Sequence, residues 1–319
     1  MGRTTIRKRI TRVRVGESRL RREDVLAVEE PLEIRVAGSP LSITMRTPGH
    51  DFDLAAGFLV SEGVIAQTDE LRAIRYCAGG AVDGENTYNV LDVSLRGGVP
   101  LPDPSLDRNF YMTSSCGLCG KASIDAVRTK SAHPVAADRT TVTDAFLASL
   151  PDRLRAGQDM FDKTGGLHAA ALFDQRTGEM LVLREDVGRH NAVDKVVGWA
   201  LKEDRLPLAG TVLMVSGRAS FELVQKASMA GIPILAAVSA PSSLAVDLAK
   251  ELGITIVGFL RGQSMVIYSR SERVVAVETQ ALPPEHATPQ SSSTSASTST
   301  PTVPLSGETQ ATADQKAAV

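Results

Sequence analysis

From Leu167 to Tyr268 the chain alternates short apolar runs with amphipathic helical segments, and this alternation most limits its fold. Leu167 to Phe173 and Met180 to Leu183 read as strands around an Asp174-to-Gly178 turn. His190 to Leu201 reads as a helix with Val193, Val196, Val197, Ala200 and Leu201 on one face. Strand Thr211–Val215, helix Ala219–Ala230, strand Ile232–Val238, helix Ser243–Leu252 and strands Ile254–Phe259 and Met265–Tyr268 follow. Gly231 and Gly253 stand where the last two helices must stop. Such a pattern implies βαβ units, so the expected fold is α/β: a mixed, largely parallel sheet with helices on both faces. With 319 residues and 43% hydrophobic content, the chain can bury a sizeable core.

Upstream the pattern is that of strands, giving a smaller β-rich region over 23–110 ahead of an α/β core over 111–280. Leu32, Ile34 and Val36 alternate, as do Leu41, Ile43 and Met45, and Gly38-Ser39-Pro40 between them reads as the turn of a hairpin. Asp51 or Asp53 is placed to cap a helix that buries Leu54, Phe58 and Leu59 and ends near Gly63. Ile74–Tyr76 and Tyr88–Leu95 are further strands, and Asp144 opens a short helix to about Leu154. Residues 1–22 are basic and read either as a loose arm or, through Ile10, Val13 and Val15, as an added strand. From 281 to 319 the chain is Ser, Thr, Pro, Ala and Gln with almost no large apolar side chain, the composition of a disordered tail.

The reactive chemistry is expected in Thr113-Ser114-Ser115-Cys116-Gly117-Leu118-Cys119-Gly120-Lys121, ahead of a helix from Ala122 to Lys130. A helix N-terminus, a nearby lysine and a partner thiol all favour a thiolate in a Cys-x-x-Cys. Gly117 and Gly120 leave the sulfurs uncovered, which suits a reactive loop better than packing. Three cysteines make no disulfide framework, and cytosolic thiols are the better reading. Cys77 has no partner at motif spacing and reads as structural. Lys+Arg 35 against Asp+Glu 37 gives no charge bias toward nucleic acid or an anionic membrane. No secretory signal or bilayer-length apolar run is present, so a soluble, cytoplasmic protein is expected.

Parallel sheets place ligand loops at the carboxyl ends of their strands. Those loops here are Ser216-Gly217-Arg218, Ser239-Ala240-Pro241-Ser242 and Gly258-Phe259-Leu260-Arg261-Gly262-Gln263-Ser264. The first two lead into helix N-termini, where an anion is favoured; the third offers an arginine between glycines. As a set they read either as a phosphate or nucleotide pocket or as ordinary turns. No Walker A pattern or G-x-G-x-x-G is present, so nucleotide hydrolysis is not suggested.

His168 opens a strand, and Arg184-Glu185-Asp186-Val187-Gly188-Arg189-His190-Asn191 packs charged groups between a strand and a helix. Either these residues form a solvated capping turn, or Asp186, Arg189 and His190 join the site. Cys116, Cys119, His168 and His190 would suffice for a structural zinc. Deaminase chemistry is not supported, because Ala169-Ala170 follow His168 where that signature needs a Glu. A thioredoxin-like dithiol fits poorly, since more than a hundred residues precede the cysteines.

Together these motifs resemble the FdhD family, sulfur carrier proteins needed for formate dehydrogenase activity. The matching stretches are Arg46-Thr47-Pro48-Gly49 with Ala56-Gly57-Phe58-Leu59 and Ser61-Glu62-Gly63; Ser114 to Lys121; Gly165-Gly166-Leu167-His168-Ala169; Glu185 to Lys195; Ser239 to Ala245; and Gly258-Phe259-Leu260-Arg261-Gly262. The resemblance implies a homodimer with a cytidine-deaminase-like core. It also implies that sulfur is taken as a persulfide from a cysteine desulfurase and passed to the bis-guanine-dinucleotide molybdenum cofactor for insertion into formate dehydrogenase. Carried over by position, Cys116 bears the persulfide, Cys119 is its partner, and Phe259 to Ser264 is the cofactor-binding loop. Family members often have a second basic residue in that loop, where Gln263 and Ser264 stand here. A dithiol oxidoreductase and a non-catalytic cofactor chaperone are the other classes the cysteines and loops allow.

Overall fold

The computed structural model describes residues 3–77, 81–82, 85–86, 88–101 and 130–276. The Cys-x-x-Cys loop with the helix expected after it, and the low-complexity tail, lie outside the described residues.

The chain opens with a hairpin of β1 (Thr5–Arg14) and β2 (Ser18–Ala27), paired in unbroken register. Of the two readings of the basic N-terminus, the strand is the one found, because Gly16 at φ 79° lets the chain reverse. Next come β3 (Glu30–Val36), β4 (Ser39–Arg46), α1 (Asp51–Ser61), β5 (Leu71–Tyr76), the two-residue strands β6 (Ala81–Val82) and β7 (Glu85–Asn86), and β8 (Val90–Leu95). Strands β4, β3, β8 and β5 make a four-stranded sheet in that order, with Leu32, Ile34 and Val36 buried as their alternation requires. The hairpin turn lies one residue earlier than expected. Ala37 and Gly38, both at positive φ, form it, and Ser39 and Pro40 already belong to the edge strand β4.

After β9 (Val142–Thr143), α2 (Asp144–Ala156) and α3 (Asp159–Thr164), the core follows in chain order. It comprises β10 (His168–Asp174), β11 (Met180–Asp186), α4 (Arg189–Lys202), β12 (Thr211–Val215), α5 (Phe221–Met229), β13 (Ile234–Ala237), α6 (Ser243–Leu252), β14 (Thr255–Arg261) and β15 (Ser264–Ser269). The short β16 (Val274–Val275) pairs with β9.

The six-stranded sheet has the order β11-β10-β12-β13-β14-β15. Only β12, β13 and β14 run parallel; the pairs β11–β10, β10–β12 and β14–β15 are antiparallel. The expectation of a largely parallel sheet is therefore corrected to a mixed one. Parallel neighbours need a crossover, and among the described residues only α5 and α6 supply one within this sheet. The connections from β10 to β11 and from β14 to β15 are too short for anything but antiparallel return.

Helices do cover both faces. On one, α4, α5 and α6 bury Val193, Val196, Val197, Leu223, Val224 and Leu248 against Leu172, Leu213, Leu235 and Ile256, with α1 packed on α4. On the other, Leu147, Leu150 and Leu154 of α2 meet Phe173, Met214, Ile234 and Val257. Strands β12 and β13 are buried along their whole length, which explains their uninterrupted apolar sequence.

Helices α1 and α4 cross at Gly57 and Gly198. A Cβ added at Gly198 would lie 1.8 Å from the Asp53 carbonyl oxygen, and one at Gly57 1.8 Å from that of Asp194. The crossing brings buried ionic groups into reach of one another. Asp194 receives both Lys226 Nζ, 2.8 Å from each carboxylate oxygen, and the Ser61 hydroxyl at 2.6 Å. Arg46 donates Nε and Nη2 to Asp51 at 3.2 and 3.0 Å. Asp51 therefore does not cap α1 as expected. His50 holds the cap position in the left-handed region, and the Asp51 carboxylate is taken by Arg46, Tyr76 and the Gly49 N–H. Burial, and then Asp51, push the Tyr76 hydroxyl well above its usual pKa, so it stays a donor.

Candidate functional site at the carboxyl ends of the strands

A cleft of about 660 Å³ opens where β12, β13 and β14 end. One wall carries His168, Ser216, Val238, Leu260, Arg261 and Gly262; the other carries Arg155, Gln158 and Phe161 from the end of α2 through α3. Gly165 and Gly166 complete the rim beside His168.

Of the residues expected to bind cofactor, His168, Ser216, Leu260, Arg261 and Gly262 thus share one cleft. Gly217 sits against it, since a Cβ there would come within 3.3 Å of the His168 ring. Phe259, Arg218, Gln263 and Ser264 are exposed and are not among the described residues that line it. Ser216 accepts the Ala169 N–H at 2.9 Å and returns its own N–H to the Ala169 carbonyl at 3.0 Å, fixing the loop to β10. Arg261 donates Nε to the Val238 carbonyl at 3.2 Å, which holds the guanidinium over the end of β13. Phe259 stands at φ 51°, rare for an aromatic residue, with its N–H on the Ser239 carbonyl at 3.2 Å.

The helix N-termini expected to hold an anion are satisfied internally. At α6, Ser242 accepts the Ala245 N–H with its own hydroxyl. At α5, Glu222 lies in the first turn, and its carboxyl is held down to about pKa 2. His190, 3.7 Å away, is the first cause, followed by the Glu222 N–H and Ser220. A carboxylate already stands where the anion was expected.

The polar run after β11 divides between architecture and site. Asp186 was weighed as a site residue, but it is fully buried. Lys195 Nζ lies 2.7 Å from Asp186 Oδ2, and the Thr47, Gly188 and Asn191 N–H groups fill the remaining positions. These contacts tie the segment after β4 to α4. Glu185 accepts the Met160 and Phe161 N–H groups at 2.9 and 2.8 Å, which caps α3 from across the cleft wall. Arg189 does face the site residues: a Cβ on Gly217 would lie 4.0 Å from its Cδ, and its buried Nε has no partner among the described residues.

Burial, with the charges of Arg189 and His190, lowers the His168 pKa, so its imidazole is neutral near pH 7. Burial also lowers that of His50. A histidine lowered in the folded state protonates more readily when unfolded, so stability should fall as pH drops through the usual 6.5 and below. Glu222 has the opposite chemistry. Its contribution is complete above the usual 4.5 and is lost as pH falls toward about 2. Urea unfolding from pH 7.5 to 3 should therefore show declining stability across both windows, and His168→Gln should flatten the upper one. A flat profile between pH 7.5 and 5.5 would contradict the His168 environment.

Among the described residues no three His, Cys, Asp or Glu side chains gather as a metal site; Cys116 and Cys119 lie outside them. No described helix is long and apolar enough to cross a membrane.

The model of the FdhD/NarQ family matches residues 27–275 of this chain. The chain belongs to the FdhD/NarQ family. A relative from Streptomyces coelicolor, named sulfur carrier protein FdhD, is 64% identical over 275 residues, covering 86% of this chain and 97% of its own. A protein of the same name from Mycobacterium tuberculosis is 56% identical, covering 86% of this chain and all of its own. The crystal structure of a protein from Desulfotalea psychrophila, described as a formate dehydrogenase accessory protein, aligns with TM-score 0.65 at 25% identity. It covers 86% of this chain and 100% of that one. The family match includes the cleft, the α1–α4 crossing and the cysteine loop, and it begins at the last residue of β2.

Proposed function

We propose that this FdhD/NarQ family member is a sulfur carrier in the maturation of formate dehydrogenase. What supports this is the family match through the cysteine loop and cleft, with relatives named as sulfur carriers aligned over nearly their whole length. The Cys116 thiolate attacks the outer sulfur of a cysteine persulfide on a cysteine desulfurase. The donor S–S bond breaks, a new one forms on Cys116, and the donor leaves as a thiolate, with no net redox change. Releasing that sulfur as sulfide takes two electrons. Cys119 supplies them by attacking Cys116 Sγ, leaving a Cys116–Cys119 disulfide that a cellular dithiol reductant resets.

The recipient in this reading is the bis-guanine-dinucleotide molybdenum cofactor, bound as cargo and then delivered to formate dehydrogenase. Its phosphates require a cation at the cleft, and Arg261 is the residue held over it. The family resemblance also brings a cytoplasmic location and a homodimer into this reading.

Two measurements test the two arms. Incubation with a cysteine desulfurase and cysteine, followed by cyanolysis, should release about one sulfane sulfur per chain; none would sink the carrier arm. Arg261→Ala should weaken GDP or cofactor binding by about 1–3 kcal/mol, the range for a charge-assisted hydrogen bond. An unchanged dissociation constant in calorimetry would remove Arg261 from the cargo site.

A further inference from the structure

Over residues 3–24 nine Arg and Lys side chains stand against three Asp and Glu, although the whole chain has net charge −2. Positive charge is thus gathered on the β1–β2 hairpin, and the rest of the chain is net negative. The ion pairs within the hairpin are long: Arg7–Glu23 at 3.9 Å, and Arg14–Glu17 and Arg22–Asp24 at 3.6 Å. Lys8, Arg9, Arg12, Arg19 and Arg21 are exposed and have no carboxylate partner among the described residues.

The same hairpin leaves apolar side chains uncovered. Its register sets Ile6 opposite Leu26, Ile10 opposite Arg22 and Arg12 opposite Leu20, so one face carries four aliphatic residues among Lys8, Arg12, Arg14 and Arg22. Ile6, Leu20 and Leu26 are 41%, 61% and 39% exposed, and no residue of either strand joins the hydrophobic cores. A two-stranded ribbon packed so little is marginal by itself. Aliphatic groups beside unpaired guanidiniums fit a surface that offers both apolar side chains and carboxylates, which is an acidic protein face. A phosphate backbone would leave the aliphatics in water. The hairpin also has no aromatic residue to stack on a base or to anchor at a lipid interface.

Its place in the fold indicates which protein. Strand β2 rests on α3, and there a groove of about 680 Å³ is lined by Arg3, Thr5, Ile6, Arg7, Val25 and Lys163, with no acidic side chain among the described residues. Lys163 is two positions from Phe161, which lines the cleft. A protein seated on the hairpin therefore stands beside the mouth of that cleft.

We propose that the β1–β2 hairpin is the docking arm for the protein that takes cargo from the cleft, held through an acidic, partly apolar face of that protein. The net negative body repels such a face and the arm attracts it, so the charges orient the recipient as well as hold it. This assignment rests on the carrier reading for the identity of the recipient, a formate dehydrogenase apoprotein.

The test is calorimetry of the full-length protein with purified formate dehydrogenase apoprotein, at about 50 and about 300 mM NaCl. Replacing four unpaired cations together (Arg9→Glu, Arg12→Glu, Arg19→Glu and Arg21→Glu) should weaken binding about tenfold or more at the lower salt and remove most of its salt dependence. Changing the same four to Lys should keep most of the affinity. Leu20→Ser should weaken binding while leaving the salt dependence in place. None of these variants should lower sulfane sulfur loading by a cysteine desulfurase. Equal apoprotein affinity in the Glu variant, no binding by wild type, or a parallel loss of sulfur loading would overturn the arm. Wild-type binding to phosphatidylglycerol vesicles or to a DNA duplex, but not to the apoprotein, would have the same consequence. Sulfur loading without apoprotein binding fails the arm alone, and apoprotein binding through the arm without sulfur loading fails the carrier reading alone.

Discussion

Cys116→Ala is expected to reduce formate dehydrogenase maturation to assay background while leaving the fold and GDP affinity as in wild type. The transferred atom must be bound covalently between donor and recipient, and a methyl group has no lone pair with which to attack a persulfide. Cys116→Ser should fail as well, because a hydroxyl at neutral pH is far less nucleophilic than a thiolate. The cleft residues are supplied by other parts of the chain, so nucleotide binding should survive both changes. The measurement is formate dehydrogenase activity in a host lacking its own carrier, complemented with each soluble variant. Full maturation by Cys116→Ala would show that binding and protecting the cofactor suffices.

Gly198→Ala should be the most damaging single change to the fold. The added Cβ would fall 1.8 Å from the Asp53 carbonyl oxygen and 2.6 Å from the Gly57 nitrogen, both backbone atoms with no rotamer to escape into. Helices α1 and α4 would have to part, loosening the core between them and stretching the Lys226–Asp194–Ser61 contacts. A loss of about 4 kcal/mol or more is expected, at the upper end for a single substitution. Gly97→Ala is the control. It lies exposed, with nothing within 4 Å of the new Cβ, and should change stability by less than about 0.5 kcal/mol. Urea unfolding of the two variants reads the difference; a Gly198→Ala protein as stable as wild type would mean that the helices do not cross this closely.

Much of the fold was legible because burial writes itself into the sequence at a fixed period. The helical spacing of Val193, Val196, Val197, Ala200 and Leu201 marks the face of α4 that packs on the sheet, and the unbroken run Thr211–Val215 marks a strand covered on both sides. Strand direction was not legible from the apolar runs alone. A run reads the same in either sense, and only the short β10–β11 and β14–β15 connections carried the information.

The site was legible in part. The carboxyl-end rule brings Ser216 and Arg261 to one cleft, and His168 joins them from the amino end of β10 because that strand runs antiparallel to β12. What local sequence could not show is which polar groups the fold itself uses up. Asp186 looked free beside Arg189 and His190, but its partners Thr47 and Lys195 come from β4–α1 and α4. The anion-binding promise of α5 failed for a reason that was visible: Glu222 stands in its first turn, where a carboxylate is drawn to the free N–H groups.

The most direct measurement of the central claim is intact-protein mass spectrometry after incubation with a cysteine desulfurase and cysteine, on wild type and Cys116→Ala. Sulfur carriage predicts that wild type gains the mass of one or more sulfur atoms, that a reductant removes it, and that the variant gains none. A wild-type protein that gains no sulfur would contradict the account, pointing to a cofactor chaperone if its mass is unchanged and to a simple dithiol if it only loses two hydrogens.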